Sequence, residues 1–101
     1  MRSVKQIYSL GFASDEIENI LSLVLRGESL ANLYLIMVGS KQEDAFAIYP
    51  SWMNTSYDLE EELLVGLADG RDKAFSLVES IVSDIYKATH NIDVKDYFKD
   101  K

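Results

Sequence analysis

The segment from Leu33 to Val38 reads Leu-Tyr-Leu-Ile-Met-Val, so every position carries an apolar or aromatic side chain. Such a run has to be buried, either as a central strand or as a buried helix, and its pattern alone does not separate the two. The polar segment 39–44 follows, and residues 45–49 then end at Pro50, which is typical of two strands joined by a hairpin loop. Alanines at positions 45 and 47 suit a helix better, so two short helices meeting at Gly39 are the alternative.

The residues after position 61 predict a third strand and a long helix. A two-stranded hairpin is marginal in isolation, and the segment 62–68 supplies another apolar run of strand length. Gly66 and Ala68 share one face of that strand, where their small side chains leave room for a helix to lie close. Asp69–Gly70 predicts a turn in which the aspartate caps the longest helix, and that helix ends near 90–91. Its apolar positions at helical spacing are Ala74, Leu77, Val78, Ile81, Val82 and Ile85.

Two shorter helices are predicted before the first strand. Apolar residues recur at helical spacing from Val4 to Leu10 and stop at Gly11, a residue type that adopts the left-handed conformation just past a helix end. The second helix begins with Ser14 as its N-cap and runs to about 26–27. Its apolar stripe consists of Ile17, Ile20, Leu21 and Val24. The pair has the outline of a helix-turn-helix, but the acidic side chains of its second helix repel phosphate, so DNA binding is not expected.

These elements predict an α+β fold with two short N-terminal helices, a three-stranded antiparallel sheet and a long C-terminal helix packed on the sheet. An all-α bundle is the alternative if the region 33–49 is helical. A chain of 101 residues is expected to form a single domain, 1–101, because half of it would be near the size at which a core needs disulfides or metals.

Composition excludes several classes of function. The chain has no cysteine, so disulfides, thiolate catalysis and cysteine-based zinc sites are excluded, and a reducing, cytoplasmic location is expected. No apolar run reaches the ~18 residues of a membrane span. A net charge of -7 repels the phosphates of nucleic acids and acidic membrane surfaces, so neither is expected as a partner.

The sequence lacks the motifs of an enzyme. His90 is the only histidine, no serine lies in a Gly-x-Ser-x-Gly elbow, and no phosphate-binding glycine motif occurs. The acidic run that includes Asp58 and residues 60–62 is interpreted as solvated surface rather than paired acid/base groups. We therefore expect no catalytic activity, no metal and no cofactor.

One segment carries more aromatic side chains than a connection normally does. Residues 49–57 include Tyr49, Trp52, Met53 and Tyr57 among small polar residues, and aromatic side chains presented in this way are typical interface anchors. They predict a non-catalytic interaction or regulatory protein that binds another protein or itself, with a homodimer formed along the strand 45–49 as a corollary. The alternative is that Trp52 and Met53 fold back as a lid over the core.

The start of the long helix offers a second candidate site, from another class of function. Gly70, Arg71 and Lys73 combine free backbone N–H groups with two cations, a combination that can hold a phosphate or a carboxylate. Asp72 lies between the two cations and weakens this site. The alternative function is therefore that of a small domain that binds an anionic ligand.

Overall fold

The computed structural model describes residues 2–38, 46–53, 62–89 and 97–98. The chain order is strand β1, helix α1, strands β2 and β3, a short 3-10 turn, strand β4 and helix α2. Their bounds are β1 Arg2–Leu10, α1 Ile17–Leu25, β2 Leu33–Val38, β3 Phe46–Pro50, the 3-10 turn Ser51–Met53, β4 Leu63–Asp69 and α2 Arg71–Thr89.

The strands form one mixed sheet in the order β1-β4-β2-β3. β2 is antiparallel to both of its neighbours, whereas β1 is parallel to β4. The predicted α+β class, the strands near 33–38, 45–49 and 62–68 and the long C-terminal helix on the sheet are confirmed, and the all-α alternative is wrong. The predicted hairpin loop 39–44 lies outside the described residues.

The prediction of a helix from Val4 to Leu10 is wrong. These residues belong to β1, so the sheet has four strands and is mixed, rather than three-stranded and antiparallel, and no helix-turn-helix forms. The pairing of β1 with β4 is irregular. Ser3 pairs with Leu64 and the next pair is Tyr8 with Gly66, so β1 has more residues than β4 between these two pairs. This irregularity breaks the alternation of a regular strand, which is why the apolar spacing imitates a helix.

The two helices cover opposite faces of the sheet. Alternate residues of β2 belong to two separate core clusters, because successive side chains of a strand point to opposite faces. The cluster under α2 contains Val4, Ile36, Val38, Val65, Ala68, Ala74, Leu77, Ile81, Ile85 and Phe98. The cluster under α1 contains Ile20, Val24, Leu33, Leu35, Met37, Leu64 and Leu67. Burial on both faces explains why the segment 33–38 has no polar position.

A bulge in β4 sets the distance between the sheet and α2. Ile36 pairs with Gly66 and Met37 with Leu64, so Val65 is the extra residue. The bulge interrupts the alternation of side chains along β4, so Val65 and Ala68 share the α2 face. A Cβ atom at Gly66 would lie 3.1 Å from Ile36 Cδ1 and 3.2 Å from Leu77 Cδ2, so the missing side chain lets α2 lie close, as predicted.

The helix ends differ in detail from the prediction. α1 begins at Ile17 rather than after Ser14, and Glu16 reaches back to accept a hydrogen bond from the Ala13 amide at 3.0 Å. Its predicted stripe is confirmed, with Ile20 and Val24 buried. α2 extends to at least Thr89, and its predicted end at 90–91 lies outside the described residues.

Candidate functional site

The two regions singled out in the sequence lie at one end of the sheet. Because β1, β3 and β4 run in the same direction, their last residues meet at one end, where β2 and α2 begin. We call this the loop end of the sheet. The pairs Leu10–Ala68, Leu33–Asp69 and Tyr34–Pro50 mark it.

Ser51 fixes the 3-10 turn at the loop end. Its hydroxyl donates a 2.7 Å hydrogen bond to the Leu30 carbonyl oxygen and accepts a 3.0 Å hydrogen bond from the Leu30 amide. The Ser51 side chain is buried, and both of its backbone partners belong to Leu30, in the segment that leads into β2. These hydrogen bonds tie the turn to the segment before β2, and the following side chain is presented from this tied backbone.

That following side chain is Trp52, which is 70% exposed. The other aromatic and methionine side chains predicted as anchors are placed differently: Tyr49 is half-buried and packs on the α1 cluster, and Met53 is half-buried. Tyr57 lies outside the described residues. Trp52 therefore points away from the core, in contrast to the lid alternative. Pairing of the strand 45–49 with a second copy stays a prediction.

A cleft of about 250 Å³ lies beside Trp52. It is lined by the segment that leads into β2 and by the turn that follows β3. Its lining residues are Ser29, Leu30, Ala31, Asn32, Leu33, Tyr34, Pro50, Ser51 and Trp52, none of which is acidic or basic. Pockets for drug-sized ligands usually measure about 300–1,000 Å³, so this cleft suits a single side chain better than a cofactor.

Asn32 connects the cleft to the start of α2. It adopts a left-handed backbone with φ 68°, and its carbonyl oxygen accepts a 2.7 Å hydrogen bond from the Gly70 amide. Its side-chain amide donates to Asp69 Oδ1 at 3.3 Å, so Asp69 is engaged by Asn32. The sequence contains a weak signal for this role, because asparagine tolerates the left-handed region better than most residues do.

The second predicted site lies around Gly70, which has φ 106°. The Arg71 guanidinium lies 5.7 Å from the centre of the Phe75 ring, a cation–π contact on the surface of α2. The stem of Lys73 lies against Gly11, where a Cβ atom would be only 2.8 Å from Lys73 Cδ. Both predicted cations therefore rest on apolar or backbone surfaces at the loop end.

The connections of β1 and β4 diverge at this end. The two strands are adjacent and parallel, yet β1 is followed by α1 on one face and β4 by α2 on the other. Open sheets with such a divergence have a crevice outside the carboxyl ends of the strands, where ligands often bind. In this structure Gly11 packs directly against the end of β4 and the start of α2, since a Cβ atom there would lie 2.7 Å from Asp69 Cβ. The divergence is not recognisable from the sequence, because β1 does not have the period of a regular strand.

A separate aromatic cluster joins β1, α2 and residues 97–98. The Tyr8 hydroxyl donates to Asp84 Oδ2 at 3.0 Å and lies 2.9 Å from the Tyr97 hydroxyl. Because the Tyr8 proton is used by Asp84, Tyr97 donates to Tyr8. Burial, followed by the hydrogen bonds to Tyr97 and Asp84, raises the pKa of Tyr8 well above the ordinary tyrosine value. The Tyr8 hydroxyl therefore keeps its proton and connects Tyr97 with Asp84 of α2.

The remaining surface of the described ranges offers less. A shallow depression of about 470 Å³ on α2 is lined by that helix alone, between Ser76 and Lys87, so no other element closes over it. Among the described residues, no three His, Cys, Asp or Glu side chains are grouped as metal ligands would be. His90, Asp58 and residues 60–61 lie outside the described ranges; Glu62 is partly buried.

Neither α1 nor α2, as far as the structure describes them, is long and apolar enough to cross a membrane. Comparisons of the chain with protein-family models, with curated proteins and with solved structures find no match.

Proposed function

We propose that this chain is a non-catalytic interaction protein that binds a protein partner through the loop end of its sheet. The observation that carries the proposal is the 70% exposure of Trp52 on a backbone held by the buried Ser51. Large aromatic side chains contribute to the core when they are buried. An exposed one contributes little to folding, so a partner surface accounts for it better.

The rigidity of the turn makes Trp52 an efficient anchor. Binding orders flexible groups, and each immobilised side chain costs about 0.5–1.5 kcal/mol. The two hydrogen bonds between Ser51 and Leu30 hold the backbone next to Trp52 before any partner arrives, which lowers the cost of ordering this side chain on binding. Tryptophan is also among the residues most enriched at positions that dominate binding energy.

The charge of the chain favours some partners over others. The cleft beside Trp52 has no acidic or basic lining residue, whereas the whole chain has a net charge of -7. Neutral or basic surfaces can therefore approach the loop end, and strongly acidic ones are repelled at long range.

Photocrosslinking from position 52 tests the proposal. Trp52 would be replaced by p-benzoylphenylalanine, and the matched control would carry the same replacement at Phe75, which is 50% exposed on α2. In cells that naturally contain the chain, we expect protein adducts from position 52, to another protein or to a second copy, and few from position 75. An absence of protein adducts from position 52, or equal adducts from both positions, would contradict the proposal.

The divergence of the connections after β1 and β4 supports a second candidate function, the binding of a small anionic ligand near Gly70, Arg71 and Lys73. In open sheets, ligands often bind outside the carboxyl ends of two strands whose connections diverge in this way. The Asp69 and Asp72 carboxylates oppose an anion there.

A thermal-shift measurement separates this candidate from the first. A ligand that binds only the folded state raises the melting temperature. Inorganic phosphate should then raise the melting temperature of the wild type and of Lys87→Gln, a lysine near the other end of α2, but not that of Lys73→Gln. Equal shifts in all three chains, or no shift, would remove this candidate and leave the protein-binding proposal intact.

A further inference from the structure

We propose that the partner at the loop end is a second copy of this chain, with Trp52 of each copy inserted into the cleft of the other. This inference rests on the proposed function and specifies its partner. It describes a two-fold symmetric dimer in which the same surface is used twice.

The surface formed by Trp52 and the cleft beside it is self-complementary. In a two-fold interface, a residue of one copy contacts a site on the other copy and the reverse contact is made as well, so protrusion and recess must lie on one surface. Trp52 protrudes with 70% of its surface exposed, and the recess of about 250 Å³ begins at its own edge, with Ala31 and Pro50 among the residues around it. Two copies related by a rotation can therefore exchange indole rings.

The cleft matches one large aromatic side chain in size. A volume of about 250 Å³ corresponds to about eight water molecules at ~30 Å³ each. Leu30 and Tyr34 supply apolar surface to its lining, and Ser29 and Asn32 supply polar groups. An indole has an apolar ring and one N–H donor, so a lining of this mixed character suits it.

Charge opposes the dimer at long range but not at the contact itself. Two copies of a chain with net charge -7 repel each other, and salt screens that repulsion beyond about 10 Å. The cleft lining consists of apolar, aromatic, serine and asparagine side chains, so insertion of Trp52 buries no charge there. The charges elsewhere at the loop end, which include Asp69, Arg71, Asp72 and Lys73, lie outside this lining.

Sedimentation equilibrium on the full chain tests the inference with two variants and a control. Trp52→Ala removes the protrusion, and Ala31→Glu places a charge in the recess; both residues are exposed, so both variants are expected to fold. The control is Phe75→Ala, an exposed aromatic side chain on α2. We expect a concentration-dependent dimer for the wild type and the control, and a dissociation constant raised about 30-fold or more in each variant, the effect of losing an interface anchor.

Mixing the two variants adds a result that a merely structural role would not produce. Trp52→Ala keeps the recess apart from the edge that its own indole supplies, and Ala31→Glu keeps an intact protrusion, so a mixed dimer regains most of one of the two contacts. The mixture should therefore associate more tightly than either variant alone.

A wild type that stays monomeric at every concentration overturns the inference, as does a dimer that neither variant weakens or a mixture without any gain. The proposed function survives that outcome if position 52 crosslinks to a different protein, and it fails as well if position 52 yields no protein adduct. The two failures are therefore distinguishable.

Discussion

Two aromatic regions of this protein are built in opposite ways. In the cluster around Phe98, the rings of Tyr8, Phe46 and Tyr97 each pack edge-on against Phe98, which is only 3% exposed. At the loop end, Trp52 is 70% exposed, while the backbone beneath it is held by Ser51. In the first region the aromatic surface is buried and stabilises the fold, whereas in the second it is exposed, and we propose that a partner covers it. Substitutions in the first region should therefore lower stability, whereas substitutions at Trp52 should alter association.

The largest loss of stability is expected from Phe98→Ala. Replacing a buried phenylalanine by alanine typically costs about 3–5 kcal/mol, because apolar contacts are lost and a cavity remains. Phe98 contacts rings from β1 and β3 as well as its neighbour Tyr97, so its removal loosens both edges of the sheet. Urea denaturation measures the change. A loss below about 1 kcal/mol, the usual scale of a surface substitution, would show that the cluster is not a folding element.

A smaller loss of stability is expected from Ser51→Ala, and this substitution should affect association as well. The substitution removes two hydrogen bonds, but Leu30 is half-buried and its carbonyl oxygen still accepts from the Leu33 amide at 3.3 Å, so the expected loss is about 1–2 kcal/mol. Because the turn is then less fixed, self-association should weaken as well. Urea denaturation and sedimentation measured on the same sample check both effects. If the variant is destabilised but associates as strongly as the wild type, Ser51 does not support the binding surface.

Tyr8→Phe should cost about 1 kcal/mol at neutral pH, since it removes the hydroxyl that connects Tyr97 with Asp84. It should also change the alkaline side of the stability curve. The pKa of Tyr8 is raised in the folded state, so its contribution is complete below the unfolded value of about 10 and is lost as pH rises further. The difference in stability between wild type and variant should therefore shrink above pH ~10. A difference that stays constant from pH ~8 to ~11 would contradict this assignment.

The smallest change in stability is expected from Trp52→Ala, within about 0.5 kcal/mol, as for a surface residue. The same substitution should have the largest effect on association. Stability from urea denaturation and mass from sedimentation, compared for Trp52→Ala and Phe98→Ala, would test the contrast directly. A large loss of stability for Trp52→Ala would place the indole in the core and remove the contrast.

Much of the fold is predictable from the sequence, and the exceptions have physical causes. β2 is recognisable because it is buried on both faces, and α2 because its apolar positions repeat over many turns. β1 is not recognisable, since its irregular pairing with β4 disrupts the period of a strand. Asp69 is a further example. The sequence predicts it as the N-cap of α2, but its carboxylate accepts a hydrogen bond from Asn32, which is distant in the sequence and adjacent only in the fold.

The candidate site is predictable only in part. Trp52 stands out in the sequence because an aromatic residue is unusual in a polar connection. The cleft does not stand out, since it forms only when the segment before β2 meets the turn after β3, through the hydrogen bonds between Leu30 and Ser51. Tyr49 is aromatic like Trp52 and lies in the same segment, but its position in β3 directs its side chain onto the α1 cluster.

The most direct test of the central claim uses the fluorescence of Trp52, the only tryptophan in the chain. Its accessibility to acrylamide would be measured across a dilution series of the wild-type protein. We expect acrylamide to quench Trp52 freely in dilute solution. As the protein concentration rises, Trp52 should become progressively protected and its emission should shift to shorter wavelength. Quenching that is equally efficient at every concentration would contradict the insertion of Trp52 into a second copy.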